Sequence, residues 1–235
     1  MARVLAPRYT FDMGETGRQL GLFDAASARR IQAEAEPRFD QTFAGAERVE
    51  LGAGAWIEHV RGWVQADEAL FAHLERTTKW RHEERKMYDR VVMTPRLFAV
   101  VGKDGPGHPL LEDMRRALSA RYGEPFVRVS LALYRDGKDS VAMHGDQVAR
   151  DMEAPTHVAT VSLGGARRLL MKPAAGGRSV EFTLRGGDLY VMGGTAQRTW
   201  RHGIPKVAEA EPRIVAMFRP SWGGGYARST AAPRS

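Results

Sequence analysis

The sequence predicts a mainly β chain with flanking helices, of the α+β class, whose strands form a sandwich or barrel. Three observations carry this. Short alternating segments recur from residue 126 to residue 219, with turns at Gly164-Gly165, Gly176-Gly177 and Gly186-Gly187. Residues 109–121 instead place Leu110, Leu111, Met114 and Leu118 on one helical face. The length of 235 residues, 43% of them hydrophobic, suffices for one domain with its own core.

The chain divides into an N-terminal arm over 1–23, a single domain over 24–220 and a basic, glycine-rich tail over 221–235. Asp24 caps an expected helix that Pro37 ends. Residues 48–60 alternate enough for one or two strands. Asp67 is the expected cap of a second helix, with Leu70, Phe71 and Leu74 as its core stripe. Gly123 stops the helix over 109–121. Phe126 to Tyr134 reads as a strand, with Val127, Val129, Leu131 and Leu133 on one face and Arg128, Ser130, Ala132 and Tyr134 on the other. The less apolar second face suits a cavity wall. Further strands are expected over 157–163, 167–172, 179–184, 188–192 and 212–219. Gly176-Gly177 and Gly186-Gly187 neither precede a helix nor carry a following Lys-Ser/Thr, so they read as hairpin turns, not phosphate loops.

Absence of cysteine rules out disulfides and thiolate metal sites. With no apolar run of ~18 residues and no signal peptide, the expected location is the cytoplasm, with no membrane association. A net charge of +7 and a pI near 10.0 favour an anionic partner such as nucleic acid.

The chemistry concentrates at His144-Gly145-Asp146 and at His202. On an extended strand, His144 and Asp146 point to one side with Gly145 between them. With His202 they form two imidazoles and a carboxylate that leave coordination positions open, the donor set of a non-haem Fe(II) site; zinc favours a more closed tetrahedron. An isolated H-x-D is more often a pair of ordinary strand-end residues. In the last strand Arg213, Val215, Met217 and Arg219 share a face. Two arginines on such a face need anionic partners. They stand ~20 Å apart along the strand, a gap their side chains reduce to the size of a short dicarboxylate. The plain alternative is a pair of surface salt bridges.

Taken in order, these segments resemble the AlkB family of Fe(II)- and 2-oxoglutarate-dependent dioxygenases. The resemblance rests on Tyr134 to Asp139, His144-x-Asp146, Val158 to Gly164, Gly187 to Met192, Trp200-x-His202 followed by Pro205-Lys206, and Arg213 with Arg219, and it covers about residues 95–220. It implies a double-stranded β-helix (jelly-roll) core, Fe(II) at His144, Asp146 and His202, and 2-oxoglutarate held by Tyr134, Arg213 and Arg219, with O2 as co-reactant. Two departures stand out. The family often carries asparagine where this chain has Ala132 and Val215.

Residues 77–96 mix aromatics with cations. They read as two solvated β-segments and a loop, or as a lid whose rings stack an extruded base while its cations meet phosphates. The resemblance implies a nucleotide-recognition lid before Pro95-Arg96, with Trp80, Arg81, Arg85, Tyr88 and Arg96 as candidate substrate contacts. The aromatics common after that pair are replaced by Val100 and Val101.

The implied activity is oxidative demethylation of N-alkylated bases, such as 1-methyladenine and 3-methylcytosine, in DNA, with RNA as a second candidate. Its products are formaldehyde, succinate and CO2, and a monomer is the default state. Two readings compete with it: a related oxygenase acting on a protein or small molecule, and a nucleic-acid-binding relative without catalysis.

Overall fold

The computed structural model describes residues 35–87, 90–145 and 154–221, with the backbone alone over 83–87 and 90–93. The expected arm over 1–23, residues 24–34 of the helix expected after Asp24 and the tail beyond 221 lie outside the described residues; Ala35 and Glu36, the expected end of that helix, are not helical. The strands are β1 (Arg38–Phe39), β2 (Glu47–Gly52), β3 (Ala55–Val60), β4 (Val64–Gln65), β5 (Arg81–Met87), β6 (Arg90–Val100) and β7 (Phe126–Tyr134). After these come β8 (Val141–His144), β9 (Val158–Gly164), β10 (Arg167–Pro173), β11 (Val180–Leu184), β12 (Leu189–Gly194), β13 (Trp200–Ile204) and β14 (Arg213–Pro220). The described helices are α1 (Asp67–Thr77), α2 (Pro109–Tyr122) and the short α3 (Ala196–Thr199).

Two antiparallel sheets carry the fold. The major sheet has the order β2-β3-β12-β9-β14-β7-β6-β5, and the minor sheet the order β11-β10-β13-β8. This is a mainly β, jelly-roll arrangement in which the last strand, β14, lies at the centre of the major sheet between β9 and β7.

Strand alternation divides the interior into two cores. On one face of the major sheet Val129, Leu131, Leu133, Val161, Ile214, Ala216 and Phe218 pack with Leu70 and Leu74 of α1 and Leu111, Met114 and Leu118 of α2. The alternate residues, Ala132, Tyr134, Val215 and Met217, face Leu169, Met171, Leu184 and Ile204 of the minor sheet. A one-residue slip in β7 or β14 would exchange these sets and put Arg213 among the helices, so burial fixes the register.

α2 begins and ends as its sequence requires. The His108 ring accepts from the Leu110 amide at 3.1 Å, and Gly123 closes the helix at φ 68. α1 corrects an expectation. Asp67 is its first residue, not its cap; Ala66 precedes it in a left-handed conformation with no side-chain cap. The Asp67 carboxylate accepts instead from the Gly164 amide at 2.9 Å, tying the helix to the end of β9. Burial pushes its carboxyl pKa up. Residues 48–60 resolve into the β2–β3 hairpin. The expected candidate lid is the β5–β6 hairpin. β6 pairs with β7 from Leu97 to Val100, while its N-terminal half pairs with β5 as far as Arg90. No described helix is long and apolar enough to cross a membrane.

Candidate active site

Between the two sheets lies a cavity enclosing about 790 Å³, part of it open to solvent. Its walls include His144, His202, Tyr134, Arg213, Arg219 and Arg96. Residues from β6, β7, β8, β13 and β14 thus converge on one space.

His144 ends β8, and His202 is its direct partner on β13. Their ring centres are 4.5 Å apart. His144 Nδ1 lies 2.9 Å from the Ala142 carbonyl. A carbonyl only accepts, so Nδ1 carries the proton and Nε2 keeps its lone pair, the tautomer a metal ligand needs. Gly145 follows. A Cβ there would stand 2.6 Å from the Gln197 carbonyl oxygen, so the closeness of this chain to α3 requires glycine. Asp146, the third expected ligand, lies outside the described residues, and no group of three potential ligands occurs among those described. Two imidazoles set side by side at the cavity wall fit two ligands of one metal.

Arg213 and Tyr134 are also cross-strand partners. Arg213 is 1% exposed. Its Nη2 donates to Ser162 Oγ at 2.8 Å, while Nε and Nη1 have no partner. Burial pushes its pKa down to about 10; the nearby Tyr134 opposes this, and Arg167 and Arg96 add to it. A buried guanidinium with two open nitrogens is costly unless an anion answers it. A carboxylate, which guanidinium binds in a fork, fits that requirement. Arg219 lines the same cavity, half-buried, with Nη1 3.2 Å from Ser130 Oγ. The cavity therefore suits a carboxylate cosubstrate beside a two-histidine metal position.

The lid candidates divide. Arg96 is not on the surface: it is 7% exposed, lines the cavity and donates to the Tyr134 hydroxyl at 2.7 Å. Trp80 lies on the opposite side of the sheet, packed against the helix-side core, with its indole N–H donating to the Glu75 carbonyl at 3.1 Å. Arg81 pairs with Asp104 at 2.6 Å. Both are held by α1 and the turn after β6, because the start of β5 runs along the helix layer. Arg85 is on β5, with backbone alone described, and Tyr88 lies outside the described residues.

Sequence reasoning passed over three contributors. Arg167 is buried at the start of β10 and donates to the carbonyls of Asp136, Asp139 and Pro205 at 2.8, 2.7 and 3.0 Å, binding two loops at the cavity edge. Its signal was available: it shares the inward face of its strand with Leu169 and Met171. Ser162 supplies the oxygen on Arg213. Asp188 accepts from His59 at 3.1 Å and from the amides of Gly62 and Arg185. Burial pulls its carboxyl pKa up, but these hydrogen bonds outweigh it and leave it below the usual range. His157 is partly buried against Tyr122 and paired with Glu124.

The sequence profile of the 2OG-Fe(II) oxygenase superfamily matches residues 103–221. The chain belongs to this superfamily, and within it to the AlkB family. It is 30% identical over 154 residues to human alpha-ketoglutarate-dependent dioxygenase alkB homolog 3, covering 61% of this chain and 51% of that protein. To DNA oxidative demethylase ALKBH2 of Arabidopsis thaliana it is 25% identical over 215 residues, covering 73% of this chain and 68% of the relative. The chain spans about half the length of the mammalian relatives it matches. The solved structure of OsALKBH1 overlays with a TM-score of 0.48 at 13% identity, covering 73% of this chain and 100% of that one.

Proposed function

We propose that the chain catalyses Fe(II)- and 2-oxoglutarate-dependent oxidative demethylation of N-alkylated bases in DNA. The observation that carries the oxygenase part is Arg213, a buried cation with two open donors in the same cavity as the His144–His202 pair. Support for a nucleic-acid substrate comes from the net charge of +7 and from relatives named as DNA oxidative demethylases.

In this reading His144, Asp146 and His202 hold the metal, and Tyr134, Arg213 and Arg219 hold 2-oxoglutarate. Fe(II), when bound, would supply O2 activation coupled to decarboxylation of 2-oxoglutarate to succinate and CO2; the hydroxylated N-alkyl carbon would leave as formaldehyde. The protein's own share is binding and exclusion of water. Arg213 fixes the distal carboxylate through its charge and its open donors, and the apolar side chains of Met192, Val215 and Leu169 dry the cavity. Arg85 and Tyr88 are the candidate nucleotide contacts in this reading. RNA is a second substrate candidate; a monomeric state and a cytoplasmic location belong to the same proposal.

The test is formaldehyde release from 1-methyladenine and 3-methylcytosine oligonucleotides, DNA and RNA in parallel, with Fe(II), 2-oxoglutarate and ascorbate. Release that requires both Fe(II) and 2-oxoglutarate is expected. Consumption of 2-oxoglutarate with no release from any oligonucleotide would keep the oxygenase and remove the nucleobase substrate.

A further inference from the structure

We propose that Arg96 is a positioning residue for the cosubstrate, acting through Tyr134, and not a contact of the nucleotide lid. The inference rests on the cosubstrate site proposed above.

The site has an uneven distribution of polar groups. Phe98, Ala132 and Val215 stand side by side in β6, β7 and β14, so this row of the cavity floor is apolar. The next row is polar: there Tyr134 pairs with Arg213. The guanidinium carbons of Arg96, Arg167 and Arg213 lie 5.6, 5.6 and 5.5 Å from the Tyr134 ring centre. Arg167 is committed to three backbone carbonyls. Arg96 is not so committed: Nη1 donates to the Tyr134 hydroxyl and the buried Nε has no partner. Arg96 and Arg213 together thus leave three buried guanidinium nitrogens open in one cavity.

The Arg96 bond decides what Tyr134 can do. A phenolic oxygen both donates and accepts. With its acceptor side taken by Arg96 at 2.7 Å, its hydrogen remains for an acceptor in the cavity. An anion receives that hydrogen, the charge and an open donor of Arg213 and the field of Arg96. A neutral base receives no such benefit from a second cation. Arg96 therefore favours a carboxylate at Tyr134 over a nucleobase.

The test uses the full chain loaded with Mn(II) without oxygen, with 2-oxoglutarate and a methylated oligonucleotide titrated separately by calorimetry. Loss of a hydrogen bond to a charged group predicts that Arg96→Met weakens 2-oxoglutarate by about ten- to a hundred-fold. Mn(II) and oligonucleotide binding should be unchanged. Arg96→Lys, which keeps the charge and a donor, should recover part of the loss and serves if the Met variant does not fold. In a Tyr134→Phe background, Arg96→Met should cost clearly less than in the wild type, since the two act as a unit. Unchanged 2-oxoglutarate affinity in both Arg96 variants, or a loss confined to the oligonucleotide, would overturn the inference alone. A wild-type chain that binds no 2-oxoglutarate would instead overturn the proposed cosubstrate site and this role with it.

Discussion

His144 and His202 are direct cross-strand partners in the minor sheet, with ring centres 4.5 Å apart, although they stand far apart in the chain. Antiparallel pairing is what brings them together, since opposed residues on one face hold their side chains within contact. His144→Ala or His202→Ala should abolish stoichiometric metal binding and leave the fold intact, because both rings lie in the wall of an open cavity. Metal content by mass spectrometry and the circular dichroism spectrum check the two halves. Full metal occupancy in either variant would remove the ligand assignment.

Gly145 should tolerate no side chain. A Cβ at this position would meet the Gln197 carbonyl oxygen at 2.6 Å, and backbone cannot swing aside as a side chain can. Gly145→Ala should cost about 1–3 kcal/mol of stability through overpacking and lower metal affinity, by moving His144 away from His202. Chemical denaturation and a metal titration read these effects; wild-type values in both would show that the loop yields freely.

Arg213→Met should separate stability from function. The substitution removes a buried charge with two unpartnered nitrogens, so the free protein should gain about 1–4 kcal/mol or lose nothing. Binding of 2-oxoglutarate should fall by about a hundred-fold or more, since a charged, forked contact is lost. Thermal melts with and without 2-oxoglutarate test both parts. A variant still stabilised by 2-oxoglutarate like the wild type would place the cosubstrate elsewhere.

The same arginine sets a pH limit. Burial holds its pKa down at about 10, below its unfolded value. The folded protein therefore sheds this proton before the unfolded chain does. The cost of the buried charge is present at neutral pH and is relieved as pH rises past about 10. Carboxylate binding needs the charged form, so 2-oxoglutarate affinity should be level through neutral pH and fall about tenfold per unit above pH 10. Titrations in buffers spanning that range check this; a level profile beyond pH 11 would assign the carboxylate to another group.

Trp80 should report on stability more than on substrate. Its ring packs on the helix-side core and its N–H is bonded to the Glu75 carbonyl. Trp80→Ala should cost about 1–3 kcal/mol in denaturation and change oligonucleotide turnover little under conditions where the variant is folded. A large loss of turnover at unchanged stability would return Trp80 to the lid.

Much of this protein was legible in one dimension. Alternation determined the strands and even their faces: Leu131 and Leu133 lie with the helices and Ala132 and Tyr134 in the cavity, as period-two patterning requires. Gly176-Gly177 marked the β10–β11 hairpin as expected, but Gly164-Gly165 and Gly186-Gly187 carry the chain from one sheet to the other; the order of His144, His202, Arg213 and Arg219 marked residues that meet in one cavity. What the sequence could not place depended on contacts between distant segments. Asp67 looked like a helix cap, but the Gly164 amide offered it a tertiary partner. Trp80 and Arg96 sat in one charged, aromatic stretch, yet one faces α1 and the other the Tyr134 hydroxyl. The reason is physical. Local pattern states which side chains must leave water and on which face of a strand they sit. Which partner waits on that face is decided only when the sheets close, and a buried arginine takes its role from that partner.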